Sequence, residues 1–488
     1  MENEKRMPYI WESLISLLAL VVSISVAIVK YDAAPHVPML MGTIVACLMA
    51  YRIGYKWDDI EQGMIDGITQ SLQAVIILCI IGVLVGVWIL SGVVPTMIYY
   101  GLKILSPEIF LVASVIICAI TSIGTGSSWG TVGTVGIALM GIGEGLGMPM
   151  PIVAGAILSG SYFGDKMSPL SDTTNLAPAM AGADLYDHIK HMVYTTGVSF
   201  ALVLVIETFL GFMYGGGSIE SMGAVNELMQ GLSSQFNINL LLLLPPIVVI
   251  ILASQKVPSI PAITTGAIIG AIMGIFMQGV DFGQILSAAY GGYVGDTGVS
   301  TLDNLLTNGG ITNMLYAVSL IIMAMMYGGV MESTNQLKVI VDKLLEKAQN
   351  DGSLIALTIL SAIGMNVILS DQYMSIVVTG RTYDQAYKER GLKPKNLSRA
   401  LEDSGTLTGA LVPWNTCGAY MASTLGMATI VYAPFAFFNW ITPIVSVIYG
   451  YFGITIEHFD EESEGNEEIE ENILVDQEGK VETAVDVD

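Results

Sequence analysis

Charged residues are scarce in this sequence of 488 residues, because Asp, Glu, Lys and Arg together make up only 13% of it. A soluble globular protein typically carries about 25% charged residues. Hydrophobic residues account for 53% of the chain and cluster in long apolar runs. A run of about twenty apolar residues is long enough for one helical crossing of a bilayer. The composition therefore predicts an all-α polytopic membrane protein and argues against a soluble one.

Cysteine is also scarce. The four cysteines, Cys47, Cys79, Cys118 and Cys417, lie in apolar segments without paired spacing, a pattern typical of small core residues and not of a disulfide framework or a metal site. The sequence contains no HExxH motif, no Walker loop and no nucleophile elbow. We therefore expect no enzyme activity, no cofactor and no nucleic-acid partner.

The negative charge is concentrated at the C-terminus. The formal net charge is −24, and 14 of the 43 acidic residues lie from Glu457 onward, where Lys480 is the only base. Such a composition is typical of a solvated segment that buries no apolar surface. We predict that residues 455–488 form a disordered acidic cytoplasmic tail.

Apolar stretches and polar interruptions alternate along the rest of the chain. The predicted spans are 10–30, 38–54, 71–99, 193–214, 237–255, 258–277, 312–331 and 427–452. Two further regions, 107–192 and 353–426, are interrupted by polar residues, and each is long enough for a re-entrant hairpin and one interrupted crossing helix. Together they predict about ten transmembrane crossings.

The positions of Lys and Arg predict the orientation, since cytoplasmic loops collect basic residues. With the N-terminus inside, nearly all the basic residues between spans fall on the cytoplasmic side, including the cluster from Arg381 to Lys395. The loops Gly215–Asn226 and Gly279–Asn308, which then lie outside, contain no Lys or Arg. Lys30 and Lys103 are exceptions that can snorkel from span ends. The sequence thus predicts that both termini are cytoplasmic, in the cytoplasmic membrane of the cell.

The two halves of the chain resemble each other. Asp66-Gly67-Ile68-Thr69 matches Gly309-Gly310-Ile311-Thr312 at an offset of 310 − 67 = 243, which also places Ser127 over Ser370; Ser168–Asp172 falls on Val412–Thr416 one residue later in register. An odd number of crossings in each half would invert the second copy, as in many secondary transporters. We predict a first inverted repeat over 1–214, an outer linker over 215–236 and a second inverted repeat over 237–454.

Two polar segments lie inside sequence that is otherwise compatible with lipid. They are TSIGTGSSWGT (Thr121–Thr131) and GSYFGDKMSPLSDTTNLAP (Gly160–Pro178). Ionisable residues in a bilayer are costly and mark substrate or ion paths, and non-helical backbone at that depth lines cavities. A cation that crosses here must exchange its water for hydroxyl, carbonyl or carboxylate oxygens.

Oxygen-bearing side chains of both breaks are therefore candidates for binding cations and protons. The candidates are Thr125, Ser127, Ser128, Ser171, Asp172, Thr173 and Asn175 in the first half, and Ser370, Asp371, Asn415 and Thr416 in the second. Sodium is expected at Ser127, Asp172 and Asp371. For Asp172 and Asp371 the alternative is a carboxylate that only caps a helix.

Three other charged residues have open roles. Asp165 and Lys166 are adjacent in one polar turn, and a structural ion pair with each other or with Asp403 is as consistent with the sequence as a role in relaying protons. Lys166 is also the residue that could contact a carboxylate substrate.

The motifs GTGSSWGTVG (Gly124–Gly133), SGSYFGDKMSPLSDTTNLAPAMAG (Ser159–Gly182), NVILSDQY (Asn366–Tyr373) and LEDSGTLTGALVPWNTCGAY (Leu401–Tyr420) resemble those of the NhaC family of sodium/proton antiporters. The resemblance covers residues 8 to 452 and places the chain in the wider ion-transporter superfamily. It implies two inverted repeats, each with a re-entrant hairpin and an interrupted helix, an elevator-like motion and a homodimer.

The sequence and the resemblance together predict a secondary active transporter that exchanges sodium for protons by alternating access, with sodium, protons and the lipid bilayer as its partners. The alternative is a sodium- or proton-coupled organic-anion exchanger of the malate/lactate type with the same fold. A carrier is favoured over a channel because discontinuous helices are expected in both halves.

Overall fold

The computed structural model of the protein describes residues 5–31, 33–215, 219–255, 257–298, 302–303 and 306–459. Within these ranges the secondary structure is helical, apart from two isolated bridges that join Tyr293 to Asn308 and Leu392 to His458. Eight helices are long and apolar enough to cross a membrane, and up to ten spans result if each of two bent helix pairs is counted as one. The protein is therefore an all-α, multi-pass membrane protein, as the sequence predicts.

Five helices precede the first polar region. They are α1 (Ile10–Tyr31), α2 (His36–Ile53), α3 (Trp57–Gln70), α4 (Leu72–Leu90) and α5 (Val93–Ile104). The predicted span 71–99 is thus divided between α4 and α5. The division occurs at Gly92, whose backbone is left-handed with φ +80°, a conformation that glycine adopts without steric cost.

The first polar region is built from helices that stop and restart. They are α6 (Pro107–Thr125), α7 (Ser128–Thr131), which continues through a π-helical turn (Val132–Gly136) into α8 (Ile137–Gly145), then α9 (Met150–Met167), α10 (Asp172–Ala181) and α11 (Leu185–Tyr214). α9 packs closely along α6 because two glycines of α9, Gly160 and Gly164, face the backbone of α6. A Cβ at either glycine would lie within 2.3 Å of a carbonyl oxygen of α6.

Further helices lie between the two polar regions. They are α12 (Ile219–Gln235), a 3-10 turn (Leu240–Leu243), α13 (Leu244–Ser254), α14 (Ser259–Met273) with a π-helical end (Gly274–Gln278), α15 (Phe282–Gly291), α16 (Ile311–Ser333) and α17 (Gln336–Leu345). α12 lies in the stretch 215–236 that the sequence assigns to a linker, so most of that stretch is helical.

The second polar region follows. Its elements are α18 (Asp351–Ile368), α19 (Gln372–Glu389), α20 (Pro394–Leu401) with a π-helical turn (Glu402–Thr406) and a 3-10 turn (Gly409–Leu411), α21 (Thr416–Leu425), α22 (Thr429–Tyr432) with a 3-10 turn (Ala433–Phe435), and α23 (Phe437–Phe452).

The two polar regions have the same spacing of helix boundaries. α18 begins 351 − 107 = 244 residues after α6, and α22 begins 429 − 185 = 244 residues after α11. α10 and α21 also share this offset at both ends, as Asp172–Ala181 and Thr416–Leu425 show. We call the break between α6 and α7 (residues 126–127) the first tip and the break between α18 and α19 (residues 369–371) the second tip. The offset at the tips is therefore 244, and the register that placed Ser127 over Ser370 is wrong by one residue. Ser127 instead corresponds to Asp371.

The start of the predicted acidic tail is ordered. The amide of Lys393 donates to the carbonyl of Glu457 at 3.0 Å, and the amide of Phe459 donates to the carbonyl of Gly391 at 2.9 Å. Residues 455–459 therefore pack on the turn before α20, because backbone groups of that turn are free to pair with them. This corrects the prediction of disorder for those five residues, and residues 460–488 lie outside the described part of the chain.

Candidate functional site

A cavity of about 400 Å³ lies where the two polar regions meet. Both tips contribute to its wall, as do the two interrupted helices, α9–α10 and α20–α21, and the helices α3, α4 and α14. Of the side chains that the sequence analysis singled out, eight line it: Ser127, Ser128, Asp165, Ser171, Asp172, Thr173, Asp371 and Thr416. The structure therefore brings candidates from both halves to one space.

The first tip is shaped by a glycine and a capping serine. Gly126 ends α6 in a left-handed conformation with φ +66°, and a Cβ there would lie 2.6 Å from the side chain of Leu170. Ser127 then caps α7, since its Oγ accepts a hydrogen bond from the amide of Gly130 at 3.0 Å. The tip thus rests against the break between α9 and α10, with Ser127 and Ser128 at the cavity.

The second tip has the same form with different residues. Ser370 takes the left-handed conformation, with φ +60°, and Asp371 caps α19. The Oδ1 of Asp371 accepts from the amides of Tyr373 at 2.9 Å and Met374 at 3.1 Å. Its Oδ2 accepts from the hydroxyl of Thr416 at 3.0 Å, which joins the second tip to the second interrupted helix.

Both interrupted helices restart with a capped N-terminus. The Oγ of Ser171 accepts from the amide of Thr174 at 3.4 Å, and the Oδ1 of Asn415 accepts from the amide of Cys417 at 3.0 Å. Asp172 is the first residue of α10, where the positive end of the helix dipole stabilises a carboxylate. The first restart therefore places the carboxylate of Asp172 at the cavity, and the second places the hydroxyl of Thr416 there.

The three cavity carboxylates are held differently. Asp165 is 6% exposed and accepts from the hydroxyl of Ser128 at 2.6 Å. Asp371 is 7% exposed, and its carboxylate accepts the three hydrogen bonds from Tyr373, Met374 and Thr416. Asp172 is exposed to the cavity, and its carboxylate has no hydrogen-bond donor among the residues that the structure describes. Asp172 is consequently the acid most able to take a new partner.

Four candidate residues are not part of the cavity lining. The hydroxyl of Thr125 contacts that of Thr131 at 3.4 Å, and the amide of Asn175 donates to the carbonyls of Pro169 and Ser171. Ser370 is buried at the tip. Asn415 is buried and donates to the carbonyl of Asn366 at 3.0 Å. Thr125, Asn175 and Asn415 thus form hydrogen bonds within the breaks, whereas the Ser370 hydroxyl has no hydrogen-bond partner among the described residues.

Lys166 and Asp403 form a buried ion pair away from the cavity. The Nζ of Lys166 lies 2.8 Å from Oδ1 of Asp403, and both side chains are fully buried. The same carboxylate oxygen accepts from the hydroxyl of Thr195 at 3.1 Å. Asp165 faces the cavity instead, so the two adjacent residues Asp165 and Lys166 point to different surroundings.

Thr173 joins the cavity wall to the second half. Its hydroxyl donates to Oε1 of Glu402 at 3.1 Å, and Glu402 is fully buried. The hydroxyl is therefore directed toward the protein interior, although the residue lines the cavity.

Several residues that line the cavity are not among the candidates predicted from the sequence. They are Gln70, Gln73, Ala74 and Ile77 of α3 and α4, Ser259 and Ile263 of α14, and Trp129, Tyr373 and Met374 next to the tips. Gln70 and Gln73 lie at the start of an apolar span, where a polar residue could have been recognised. Ser259, Ile263 and Ala74 are ordinary for a membrane helix, and no sequence signal distinguishes them.

The lining determines the charge of a ligand that the cavity can hold. In the described part of the chain it includes three carboxylates and no Lys, Arg or His. No group of three or more His, Cys, Asp or Glu side chains in that part is arranged to hold a metal ion. A cation here would therefore be bound by single carboxylates together with hydroxyl, amide and backbone oxygens, as suits a cargo ion that must leave again.

Comparison with known proteins identifies relatives over nearly the whole chain. The Na+/H+ antiporter family matches residues 160–454. The Na+/H+ antiporter NhaC of Alkalihalophilus pseudofirmus is 39% identical over 444 residues, which cover 91% of this chain and 95% of that protein.

Two further relatives carry other substrates in their names. The malate-2H+/Na+-lactate antiporter of Bacillus subtilis is 41% identical over 92% of this chain and 96% of its own length. The arginine/ornithine antiporter ArcD of Halobacterium salinarum is 35% identical over 93% of each chain. With the family match and this degree of identity, the chain belongs to the NhaC family of Na+/H+ antiporters.

Proposed function

We propose that this protein exchanges sodium for protons across the cytoplasmic membrane by alternating access. The observation that carries the proposal is the free carboxylate of Asp172 in a cavity that also holds Asp165, Asp371 and the hydroxyls of Ser127 and Ser128. These groups replace the water shell of a small cation with oxygen ligands. The match to the Na+/H+ antiporter family supports the same reaction.

Exchange follows when sodium and a proton compete for one site. Sodium would bind at Asp172, with Asp371 and the Ser127 tip completing the oxygen set. A proton on Asp172 removes the negative charge that attracts sodium, so each ion displaces the other. Asp165 and Asp371 already accept hydrogen bonds from hydroxyl groups, so Asp172 is the acid whose oxygens are open to the exchanging ions.

The architecture we propose for transport is two inverted copies, each with five crossings, a re-entrant hairpin and an interrupted helix. The constant offset of 244 residues between helix boundaries supports two copies of one design. An odd number of crossings in each copy would invert the second. We further propose that the polar regions move together as an elevator against the other helices, in a homodimer whose termini are cytoplasmic.

A cation is favoured over an organic anion as cargo. A carboxylate substrate needs a cationic or strong donor partner, and Lys166 was the candidate. Lys166 is fully buried and paired with Asp403. The described lining offers an anion three negative charges and no basic side chain, so electrostatics oppose its entry.

The experiment is exchange in proteoliposomes made from the full-length purified protein. With wild-type protein, an inward sodium gradient should alkalinise the lumen and an outward gradient should acidify it. Neither response should need an organic acid. Asp172→Asn should lose this exchange while it elutes as a folded protein. Asp187→Asn, which alters an exposed acid at the start of α11, is the matched control and should exchange normally. Sodium flux that strictly requires malate or lactate would instead establish the anion exchanger and refute our proposal.

A further inference from the structure

The cavity is much larger than the exchange of sodium for protons requires. Its volume of about 400 Å³ corresponds to roughly a dozen water molecules at about 30 Å³ each. Oxygen ligands of a bare ion must converge within a few ångströms of it. A space of this size falls in the range of about 300 to 1,000 Å³ that is typical of pockets for small organic molecules.

The charge of the wall selects among such molecules. Asp165, Asp172 and Asp371 line the cavity, and the described lining holds no basic side chain that could offset them. Asp172 has no donor of its own among the described residues. A ligand that brings hydrogen-bond donors and a positive charge would satisfy it.

A second polar group in the cavity lining also lacks a partner among the described residues. Gln372 lines the cavity and is 4% exposed, and its Oε1 has no hydrogen-bond partner in the described part of the chain. An amide oxygen accepts from N–H donors. The wall therefore offers a charged acceptor and a neutral one.

An aromatic ring completes this wall. Trp129 lines the cavity, and its ring is stacked on that of Tyr420 at 4.1 Å between centroids, which fixes its orientation. The face of an indole ring attracts guanidinium and ammonium groups through its electron-rich π system.

Building on the proposed exchange of sodium for protons, we infer that the same cavity binds an organic cation that carries a guanidinium or primary ammonium group and no carboxylate, in competition with sodium. The N–H donors would pair with Asp172 and Gln372, and the flat cation would lie against Trp129. A carboxylate on the same molecule would face three acids without a counter-charge, so a zwitterionic amino acid binds more weakly than its decarboxylated amine.

Inhibition of sodium/proton exchange in proteoliposomes tests this inference. Agmatine and guanidinium should raise the Michaelis constant for sodium without changing the maximal rate. Arginine, which is agmatine with an added carboxylate, should inhibit at least tenfold more weakly. Malate and lactate should have no effect.

Variants on one helix locate the effect. Gln372→Ala should weaken inhibition by agmatine several-fold more than it changes the Michaelis constant for sodium, and Gln372→Glu should strengthen inhibition. Gln385→Ala is the matched control on α19, because Gln385 is exposed and its amide pairs only with Glu389 among the described residues. It should behave as wild type.

Three results would overturn the inference while sodium/proton exchange itself continues. They are no competition from any organic cation, equal inhibition by arginine and agmatine, and equal responses of Gln372→Ala and Gln385→Ala. Absence of sodium/proton exchange in wild type would instead refute the proposed function, so the two failures are distinguishable.

Discussion

The two polar regions share a backbone design but distribute their charge differently. At both tips a residue in left-handed conformation ends one helix, Gly126 in the first and Ser370 in the second, and the next residue caps the following helix. Their turns at Gly147 and Gly391 are likewise both left-handed, with φ of +71° and +64°. The backbone of each break is therefore set by the same local rules.

The acidic residue lies at a different position in each region. In the first region the tip cap is Ser127 and the restart carries Asp172, whereas in the second the tip cap is Asp371 and the restart carries Thr416. Ser, Asn and Asp all cap helices well. Capping tolerates these exchanges, so the cap alone does not require a carboxylate at either position. Of these two acids, Asp371 lies at a cap and has donors, whereas Asp172 lies outside the cap position and has no donor among the described residues.

The largest effect is expected where the two regions are tied together. Lys166 of the first region corresponds to Ala410 of the second, and Asp403 of the second corresponds to Ser159 of the first. The Lys166–Asp403 pair therefore has no symmetric equivalent. Lys166→Met leaves the carboxylate of Asp403 buried without its cation, which should lower the free energy of unfolding by about 3 to 5 kcal/mol. Chemical unfolding in detergent measures this change.

The double variant Lys166→Met, Asp403→Leu is the control for that prediction. It removes both charges, so most of the stability should return. If the single and double variants are equally unstable, packing at Lys166 and not the ion pair accounts for the loss.

Exchanging residues between corresponding positions should separate the ligand role from the cap role. Asp172→Thr, which copies the second region, removes the free carboxylate and should lower sodium/proton exchange about 100-fold, or ~2.7 kcal/mol. Asp371→Ser, which copies the first, keeps a cap and should lower it about tenfold. Initial rates in proteoliposomes compare the two. Equal losses would show that both acids bind the ion in the same way.

Much of this comparison could be predicted from the sequence. Long apolar runs fix the helical class, since backbone in lipid must satisfy its hydrogen bonds internally. Asp172 and Asp371 are recognisable because acids within apolar sequence are costly. The halves could be matched by identities, although the register at the tips was wrong by one residue because short matches do not reveal which residue caps α7 or α19.

Other features depend on packing between distant segments. No local pattern shows that Thr173 donates to Glu402 or that Asp165 faces the cavity while Lys166 points away. Gln70 and Ser259 reach the cavity only because α3 and α14 border it from outside the polar regions. Contacts of this kind are set by the fold as a whole and leave no signal in spacing or composition.

The left-handed residue at each tip gives a smaller, opposite pair of effects. A non-glycine residue in this conformation costs about 1 kcal/mol. Ser370→Gly should therefore raise the free energy of unfolding by about 0.5 to 1 kcal/mol. Gly126→Ser should lower it by more than 1 kcal/mol, because the added Cβ also meets Leu170. Thermal denaturation of both variants tests this, and a destabilised Ser370→Gly would show that the Ser370 side chain has a role of its own.

The smallest effect concerns the contacts of Glu457, in the segment after α23. Glu457 pairs with Lys395 at 2.6 Å and with Lys393 at 3.5 Å, and it lies 3.8 Å from Nδ1 of His191. The Lys395 ammonium holds the pKa of the Glu457 carboxyl below its usual range. A lowered pKa in the folded protein means that this pairing stabilises the segment at higher pH and is lost as pH falls through the lowered value.

Hydrogen exchange measures that loss. Between pH 7 and 5 the amides of Lys393 and Phe459 should stay protected, and below the ordinary glutamate pKa of about 4.3 their protection should decrease. Glu457→Gln should show weaker protection that no longer changes with pH in this range. Protection in wild type that is constant down to pH 3 would contradict the prediction.

The ring pair Trp129 and Tyr420 limits how the protein can change shape. The hydroxyl of Tyr420 donates to the carbonyl of Trp129 at 2.7 Å, so the first tip is bonded to the restarted helix of the opposite half. The first tip cannot swing away from α21 without breaking this bond and separating the stacked rings. In the exchange proposed above, the first tip and α21 would therefore have to move together.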